Sequence, residues 1–256
     1  MLFAIDMGNS NIVLGCMEGT RILLEERIST NHKKTDLEYA IDFKNLFELN
    51  GIRPEQITGS ILSSVVPPLT ECICSAVEKL VGIKPLVVGP GVKNGLHITI
   101  DNPAQLGADL VVDAVAGLAE HKPPLAVIDM GTATTISVLN EKGQYIGGMI
   151  LPGLRTALDS LVAGTSQLPK ISLDGPKRVI GSNTIDCMKS GIIEGNAACL
   201  DGLLERIEEE LGMPVTAIAT GGLSGAVVPH CKKNIQLDPH LLLKGLRIIY
   251  EMNQNH

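Results

Sequence analysis

Short apolar runs bounded by turn residues predict strands at 2–5, 12–14 and 21–28. The period then lengthens. Thr35-Asp36-Leu37-Glu38 reads as a capped helix start, with a helix running to about residue 49 and Gly51 as a natural stop. A strand at 60–66, a helix at 67–81 opened by prolines, a short strand at 86–88 and a longer helix at 103–120 follow. The second half starts again with strands at 125–128, 136–139 and 144–151 and a helix at 154–162. Beyond a polar, Pro-containing connection, Ser182-Asn183-Thr184 caps a long helix ending near Leu211-Gly212. A strand at 215–219 and a last helix at 239–252 complete the pattern. Strands and helices mixed in this way predict α/β domains.

The pattern contains an internal echo. Asp6-Met7-Gly8-Asn9-Ser10-Asn11 closes the first strand, and Asp129-Met130-Gly131-Thr132-Ala133-Thr134-Thr135 closes the strand that opens the second half. Each is followed by a β-rich run, a turn containing glycine (Gly19, Gly143) and a further strand. Paired Asp-x-Gly turns in duplicated α/β halves define the architecture shared by actin, sugar kinases and chaperone ATPases. The expected fold is therefore two duplicated actin-like (ribonuclease H-like) domains, 1–118 and 119–256, with a nucleotide cleft between them.

Composition narrows the function. With 256 residues, 45% of them hydrophobic, the chain can build packed cores, and disorder is a poor expectation. Aromatic residues make up 2% and Trp is absent, so the core is expected from Ile, Leu, Val, Ala and Met. A series of stacking platforms for single-stranded nucleic acid is missing. The balance of 21 basic against 28 acidic residues, with no Lys/Arg block, also argues against a nucleic-acid partner. The first residues lack a basic start and a leader-length apolar stretch, and no apolar run approaches the roughly 18 residues of a membrane span. A cytoplasmic protein without a membrane partner is expected. The six cysteines form no Cys-x-x-Cys pair and no zinc-ligand spacing with His, which predicts reduced, mostly structural thiols.

The candidate chemistry lies in the echoed turns. A glycine directly after the Asp lets the chain turn sharply and bring backbone N–H groups to a phosphate, while Asn9, Ser10 and Asn11 add hydrogen-bonding groups. The second copy supplies Gly131 and the hydroxyls of Thr132, Thr134 and Thr135. Two such loops would clamp a polyphosphate tail, with the acidic side chains holding metal ions; the bland alternative for Asp6 and Asp129 is a turn-forming Asp at a strand end. The P-loop, the dinucleotide Gly-x-Gly-x-x-Gly and the Gly-x-Ser-x-Gly elbow are all absent. Asn102-Pro103-Ala104-Gln105-Leu106-Gly107-Ala108-Asp109 places a carboxylate early in a helix otherwise rich in Val and Ala, with Asp113 one turn on. Asp109 suits the acceptor of a substrate hydroxyl proton, and equally a first-turn Asp favoured by the helix dipole.

These segments occur together with Gly147-Gly148-Met149-Ile150-Leu151-Pro152-Gly153, Ser182-Asn183-Thr184, Thr220-Gly221-Gly222 and the stretch from Asp238 to Leu246. In order and spacing the chain resembles the type III pantothenate kinases over essentially its whole length. The resemblance implies transfer of the ATP γ-phosphate to the primary hydroxyl of pantothenate, giving 4'-phosphopantothenate in the first step of coenzyme A biosynthesis. It implies that Asp6, Met7, Gly8, Asn9, Ser10 and Asn11 bind the ATP phosphates with Mg2+, held by Asp6 directly or through water. Gly131, Thr132, Gly221 and Gly222 would also meet the nucleotide, and Asp129 would hold a monovalent cation, K+ or NH4+. Asp109 would be the proton acceptor, and Gly107, Ala108, Asp109, Leu110 and Thr184 would line the pantothenate site.

Two positions depart from the commonest family pattern: Leu110 stands where many members have Arg, and Ile100 where many have an aromatic residue. The rival readings are a kinase of another small hydroxylated metabolite and a non-catalytic nucleotide-binding regulatory relative. The resemblance also implies a homodimer. Ile185, Met188, Ile192 and Ile193, at mostly helical spacing, are expected to form the apolar surface that pairs the subunits.

Overall fold

The opening apolar run becomes β1 (Leu2–Met7), buried along its whole length. β2 (Asn11–Glu18) returns antiparallel, and β3 (Arg21–Ser29) follows a turn at Gly19, whose φ of +56° favours glycine. α1 (Asp36–Leu49) starts in a reciprocal capping box: the Glu38 N–H donates to the Thr35 hydroxyl, and the Thr35 N–H donates to the Glu38 carboxylate at 2.7 Å. β4 (Gly59–Ser64), α2 (Pro67–Val81) and β5 (Leu86–Val87) complete a five-stranded sheet of order β3-β2-β1-β4-β5. After β6 (His97–Ile98), the helix expected at 103–120 divides into a 3-10 turn at Pro103–Gln105 and α3 (Ala108–Glu120). The break lies at Leu106, whose ψ of 125° is extended rather than helical.

The second half contains β7 (Leu125–Met130), β8 (Ala133–Leu139), β9 (Gln144–Pro152), α4 (Leu154–Ala163) and α5 (Thr184–Leu211). It continues with β10 (Thr216–Thr220), α6 (Ser224–Val227), β11 (Ile235–Leu237) and α7 (Leu241–Met252). Its sheet has the order β11-β10-β7-β8-β9-β6. The topology repeats the first sheet strand for strand. β7, β8 and β9 form an antiparallel meander as β1, β2 and β3 do, and β10 and β11 extend it in parallel as β4 and β5 do. β6 is an addition, parallel to the edge strand β9.

The computed structural model describes residues 1–254; residues 255–256, the end of the second expected domain, lie outside the described residues. The chain packs as two units whose division is not contiguous. One contains Met1–Gly95, Asn102–Ala116 and the chain from Leu241 on; the other contains Leu96–Asp101 and Gly117–His240. A single cut at 118/119 therefore differs from the packing chiefly at α7, which lies against β1 and β4. Three glycines seat it. Leu243 packs over Gly15, the Tyr250 ring lies over Gly59, and Gly245 meets the backbone of Val112 in α3. A Cβ at Gly245 would overlap the Val112 carbonyl, which cannot rotate aside. Gly245→Ala is expected to cost about 1–3 kcal/mol of stability, read as a lower midpoint in thermal unfolding; a wild-type midpoint would contradict this packing.

The first core is not purely aliphatic. All three Phe residues gather there, with Phe3 edge-on to Phe43 at 5.7 Å and to Phe47 at 5.0 Å, beside Tyr39. The core of the second unit is aliphatic, as the composition suggested.

A correction concerns α5. Met188, Ile192 and Ile193 are buried in the second unit's own core with Leu200, Leu204 and Ile207, and of the proposed pairing stripe Ile185 alone is exposed. An apolar stripe shows that a helix face is covered, and here the unit's own sheet and helices cover it. Among the described residues no helix is long and apolar enough to cross a membrane.

Candidate active site

Asp6 lies near the C-terminal end of β1, between Val13 of β2 and Ser63 of β4 in register, and is 9% exposed. The chain then turns through Gly8, Asn9, Ser10 and Asn11, where the Gly8 N–H donates to the Asn11 carbonyl at 3.0 Å. Thr30 fixes this hairpin from the end of β3. Its hydroxyl donates to the Gly8 carbonyl at 2.7 Å, and its N–H donates to the Ser10 carbonyl at 3.0 Å. Asn9, Ser10 and Asn11 are thereby exposed on a held loop. Met7 is buried in the core, which leaves its backbone as the part able to serve a ligand.

Asp109 sits in the first turn of α3. The Leu110 N–H donates to its Oδ1 at 2.8 Å. The carboxylate folds back over Gly107, where a Cβ would meet Oδ1 and push the carboxylate aside. Burial pushes the Asp109 carboxyl above the usual carboxylate range, outweighing the opposing effect of the hydrogen bond from Leu110. A carboxylate so placed is a stronger proton acceptor than an exposed one. Asp113, one turn on, is buried.

In the second unit Asp129 occupies the place that Asp6 occupies in the first. It pairs in register with Thr135 of β8 and Thr220 of β10. The hairpin is one residue tighter: three residues separate Met130 from its partner Thr134, against four between Met7 and Ile12, and the Gly131 N–H donates to the Ala133 carbonyl. Gly221, at φ +88°, passes directly over the Asp129 carboxylate and the Met130 backbone, and Gly131 borders the same carboxylate. The Ser224 hydroxyl donates to the Gly221 carbonyl at 2.7 Å and closes the Gly221-Gly222 turn. Thr132 is exposed, with its carbonyl accepting from the Gly153 N–H at 3.2 Å and from the Thr156 hydroxyl at 2.8 Å. A Cβ at Gly153 would strike the Gly131 and Thr132 carbonyls, so the glycine ending Leu151-Pro152-Gly153 lets α4 begin against the loop.

Thr184 is the exposed first residue of α5; the cap is Asn183, whose side-chain oxygen accepts from the Asp186 N–H at 3.0 Å. Beside it opens a mostly apolar cavity of about 740 Å³, lined among others by Leu161, Leu168, Met188 and Ile192. Leu110 and Ile100 are both half-buried. Thr30, Thr156 and Ser224, which fix the three loops, did not stand out in the sequence. Ser224 alone had a local signal, a hydroxyl three residues after a turn glycine. Burial pushes the Cys16 thiol up to about 12 and the Cys231 thiol up to about 11, so neither supplies a thiolate at neutral pH.

Comparison with known proteins agrees with this arrangement. Among solved structures, the activator of 2-hydroxyisocaproyl-CoA dehydratase from Clostridium difficile, determined with bound ADPNP, has a TM-score of 0.58 at 12% identity, covering 99% of this chain and 94% of that one. Component A of (R)-2-hydroxyglutaryl-CoA dehydratase from Acidaminococcus fermentans gives 0.56 at 14% identity, covering 97% and 96%. At these identities the likeness shows the fold, that of the actin-like ATPases and sugar kinases. The sequence comparisons are more specific. The family model for type III pantothenate kinase matches residues 2–206. Type III pantothenate kinases from Exiguobacterium sp. and Myxococcus xanthus are 44% and 42% identical over 254 and 253 residues, 99% of this chain in each case and 100% and 99% of the relatives. Similarity of that extent, running through both Asp-x-Gly hairpins and the Asp109 helix, establishes that the chain belongs to the type III pantothenate kinase family.

Proposed function

We propose that this protein transfers the γ-phosphate of ATP to the primary hydroxyl of pantothenate, forming 4'-phosphopantothenate at the entry to coenzyme A biosynthesis in the cytoplasm. Family membership supplies the reaction. The setting of Asp109 is the observation that favours a catalyst over a nucleotide-binding relative without chemistry: its carboxylate is folded over Gly107 and buried enough to raise its proton affinity. The pantothenate hydroxyl oxygen bonds to the γ-phosphorus as the bond to the β–γ bridging oxygen breaks. ADP departs, and the hydroxyl proton passes to Asp109. Gly107, Ala108, Leu110 and Thr184 complete the pantothenate site in this reading. Leu110 offers no charge to the substrate carboxylate.

Asp6, Met7, Gly8, Asn9, Ser10, Asn11, Gly131, Thr132, Gly221 and Gly222 bind ATP, with Asp6 holding Mg2+ and Asp129 holding K+ or NH4+. Among the described residues no three His, Cys, Asp or Glu gather to hold a metal by themselves. A carboxylate at each place fits hard cations whose other ligands are phosphate, carbonyl and water oxygens. At Asp129 the bare backbone of Gly131 and Gly221 leaves the carboxylate free of Cβ crowding, which suits such a cation. When bound, these cations supply charge neutralisation at the phosphates, where the negative charge of Asp129 would otherwise add repulsion.

A coupled assay of ADP release tests the reading. Release is expected to require pantothenate, and to be several-fold faster in potassium or ammonium than in sodium or lithium at constant ionic strength. ADP release indifferent to pantothenate would overturn the function, and equal rates in all salts would remove the cation from Asp129. The protein is further proposed to act as a homodimer, the commonest closed assembly. The side of α5 that carries Thr184, Cys187, Gly191 and Gly195, rather than the buried Ile192 side, is exposed for it. Light scattering checks this: a fully active monomer at assay concentration would exclude it.

A further inference from the structure

Ser63 belongs to none of the motifs above, and its position singles it out. It lies on β4 directly in register with Asp6 on the parallel strand β1. Register partners on adjacent strands, about 4.8 Å apart, present their side chains to the same face of the sheet. Ser63 is completely buried, and its hydroxyl has no hydrogen-bond partner among the described residues. A buried hydroxyl without a partner is costly, and native chains keep few of them. The neighbouring Ser60, also buried on β4, illustrates the ordinary case, with its hydroxyl donating to the Phe3 carbonyl at 3.0 Å.

The second unit repeats the juxtaposition. Thr220, on the strand that corresponds to β4, stands in register with Asp129. Each Asp of the duplicated hairpins thus has a hydroxyl residue beside it on the parallel neighbour, at places where the sequence shows no shared motif.

We propose that Ser63 is a positioning residue for Asp6, its hydroxyl donating to the Asp6 carboxylate when that carboxylate serves the metal that accompanies ATP. A hydroxyl carries one donor and can orient a carboxylate without adding charge, which leaves the carboxylate's negative charge for the cation. The inference rests on the reading of Asp6 as the metal-side residue of an ATP site.

Ser63→Ala gives a signature that a structural role would not. A residue kept for the fold would lose stability on truncation, whereas removing an unsatisfied hydroxyl leaves stability unchanged or higher. The thermal midpoint of Ser63→Ala, measured without nucleotide, is therefore expected at or above that of wild type. Calorimetric titration with ATP, in the absence of pantothenate, should show affinity in magnesium reduced about tenfold or more, the range of one hydrogen bond to a charged group. Affinity in EDTA should be unchanged. Ser63→Cys, which restores a weak donor of similar size, should fall between the two. A lower midpoint with equal losses in magnesium and EDTA would make Ser63 structural, and wild-type affinity in magnesium would also overturn the proposal. If the wild type bound ATP equally well with and without magnesium, the reading of Asp6 itself would fail instead, and the two failures are thereby distinguished.

Discussion

Asp109→Asn is expected to lower turnover by about 10²-fold or more while leaving ATP binding intact, because it removes the proposed proton acceptor at nearly constant size. The Asn side-chain oxygen can still accept from the Leu110 N–H, so the start of α3 keeps its hydrogen bond. The pH profile adds an independent mark. Burial raises the Asp109 carboxyl, and in the proposed base role its ionised form is the active one. In wild type kcat/KM should therefore fall as pH drops through a range above that of ordinary carboxylates, a limb that the Asn variant lacks.

Stability should move the opposite way. With the folded pKa raised, the native state binds more protons than the unfolded state between the ordinary and raised values, so wild-type stability falls as pH rises through that window. At neutral pH the full cost of a buried carboxylate is present. Asp109→Asn should then be at least as stable as wild type, and the gap should close below the ordinary carboxylate range. A variant turning over near the wild-type rate would remove Asp109 from the base role, and one less stable at neutral pH would show that burial does not raise its carboxyl.

The echoed hairpins were legible because their chemistry is local: a strand end, a carboxylate and a glycine within three residues. The same holds for the Thr35-to-Glu38 cap and for α2, whose bounds matched the expectation. Three kinds of feature were not. Thr30, Thr156 and Ser224 each close a loop through one hydroxyl, and one hydroxyl carries no period. β6, α6 and β11 are too short for any pattern to emerge. The return of α7 to the first unit rests on Gly15, Gly59 and Gly245, each of which makes room for a partner far away in sequence. Hydrophobic spacing likewise identified the apolar face of α5 and could not say what covers it. The Ile192 side went to the unit's own core because a 28-residue helix lying on a sheet buries that face first.

Gly221→Ala should combine a large loss of stability with a change in salt response. Gly221 has φ +88°, a conformation that costs an L residue about 1–2 kcal/mol. Its missing Cβ would overlap the Asp129 carboxylate and lie 2.6 Å from the Met130 nitrogen, a backbone atom held in the β7 ladder. Overpacking against fixed backbone adds about 1–3 kcal/mol, so a total of about 2–5 kcal/mol is expected in denaturant unfolding. The side chain best able to yield is Asp129, and turning it away should also abolish the preference for potassium over sodium among molecules that remain folded. Gly225→Ala is the control: it lies in α6 four residues on, its Cβ would meet nothing within 4 Å, and helix propensity favours alanine there by up to about 1 kcal/mol. If Gly221→Ala unfolded like Gly225→Ala and kept the wild-type salt response, the close passage of Gly221 over Asp129 would have no part in either stability or cation binding.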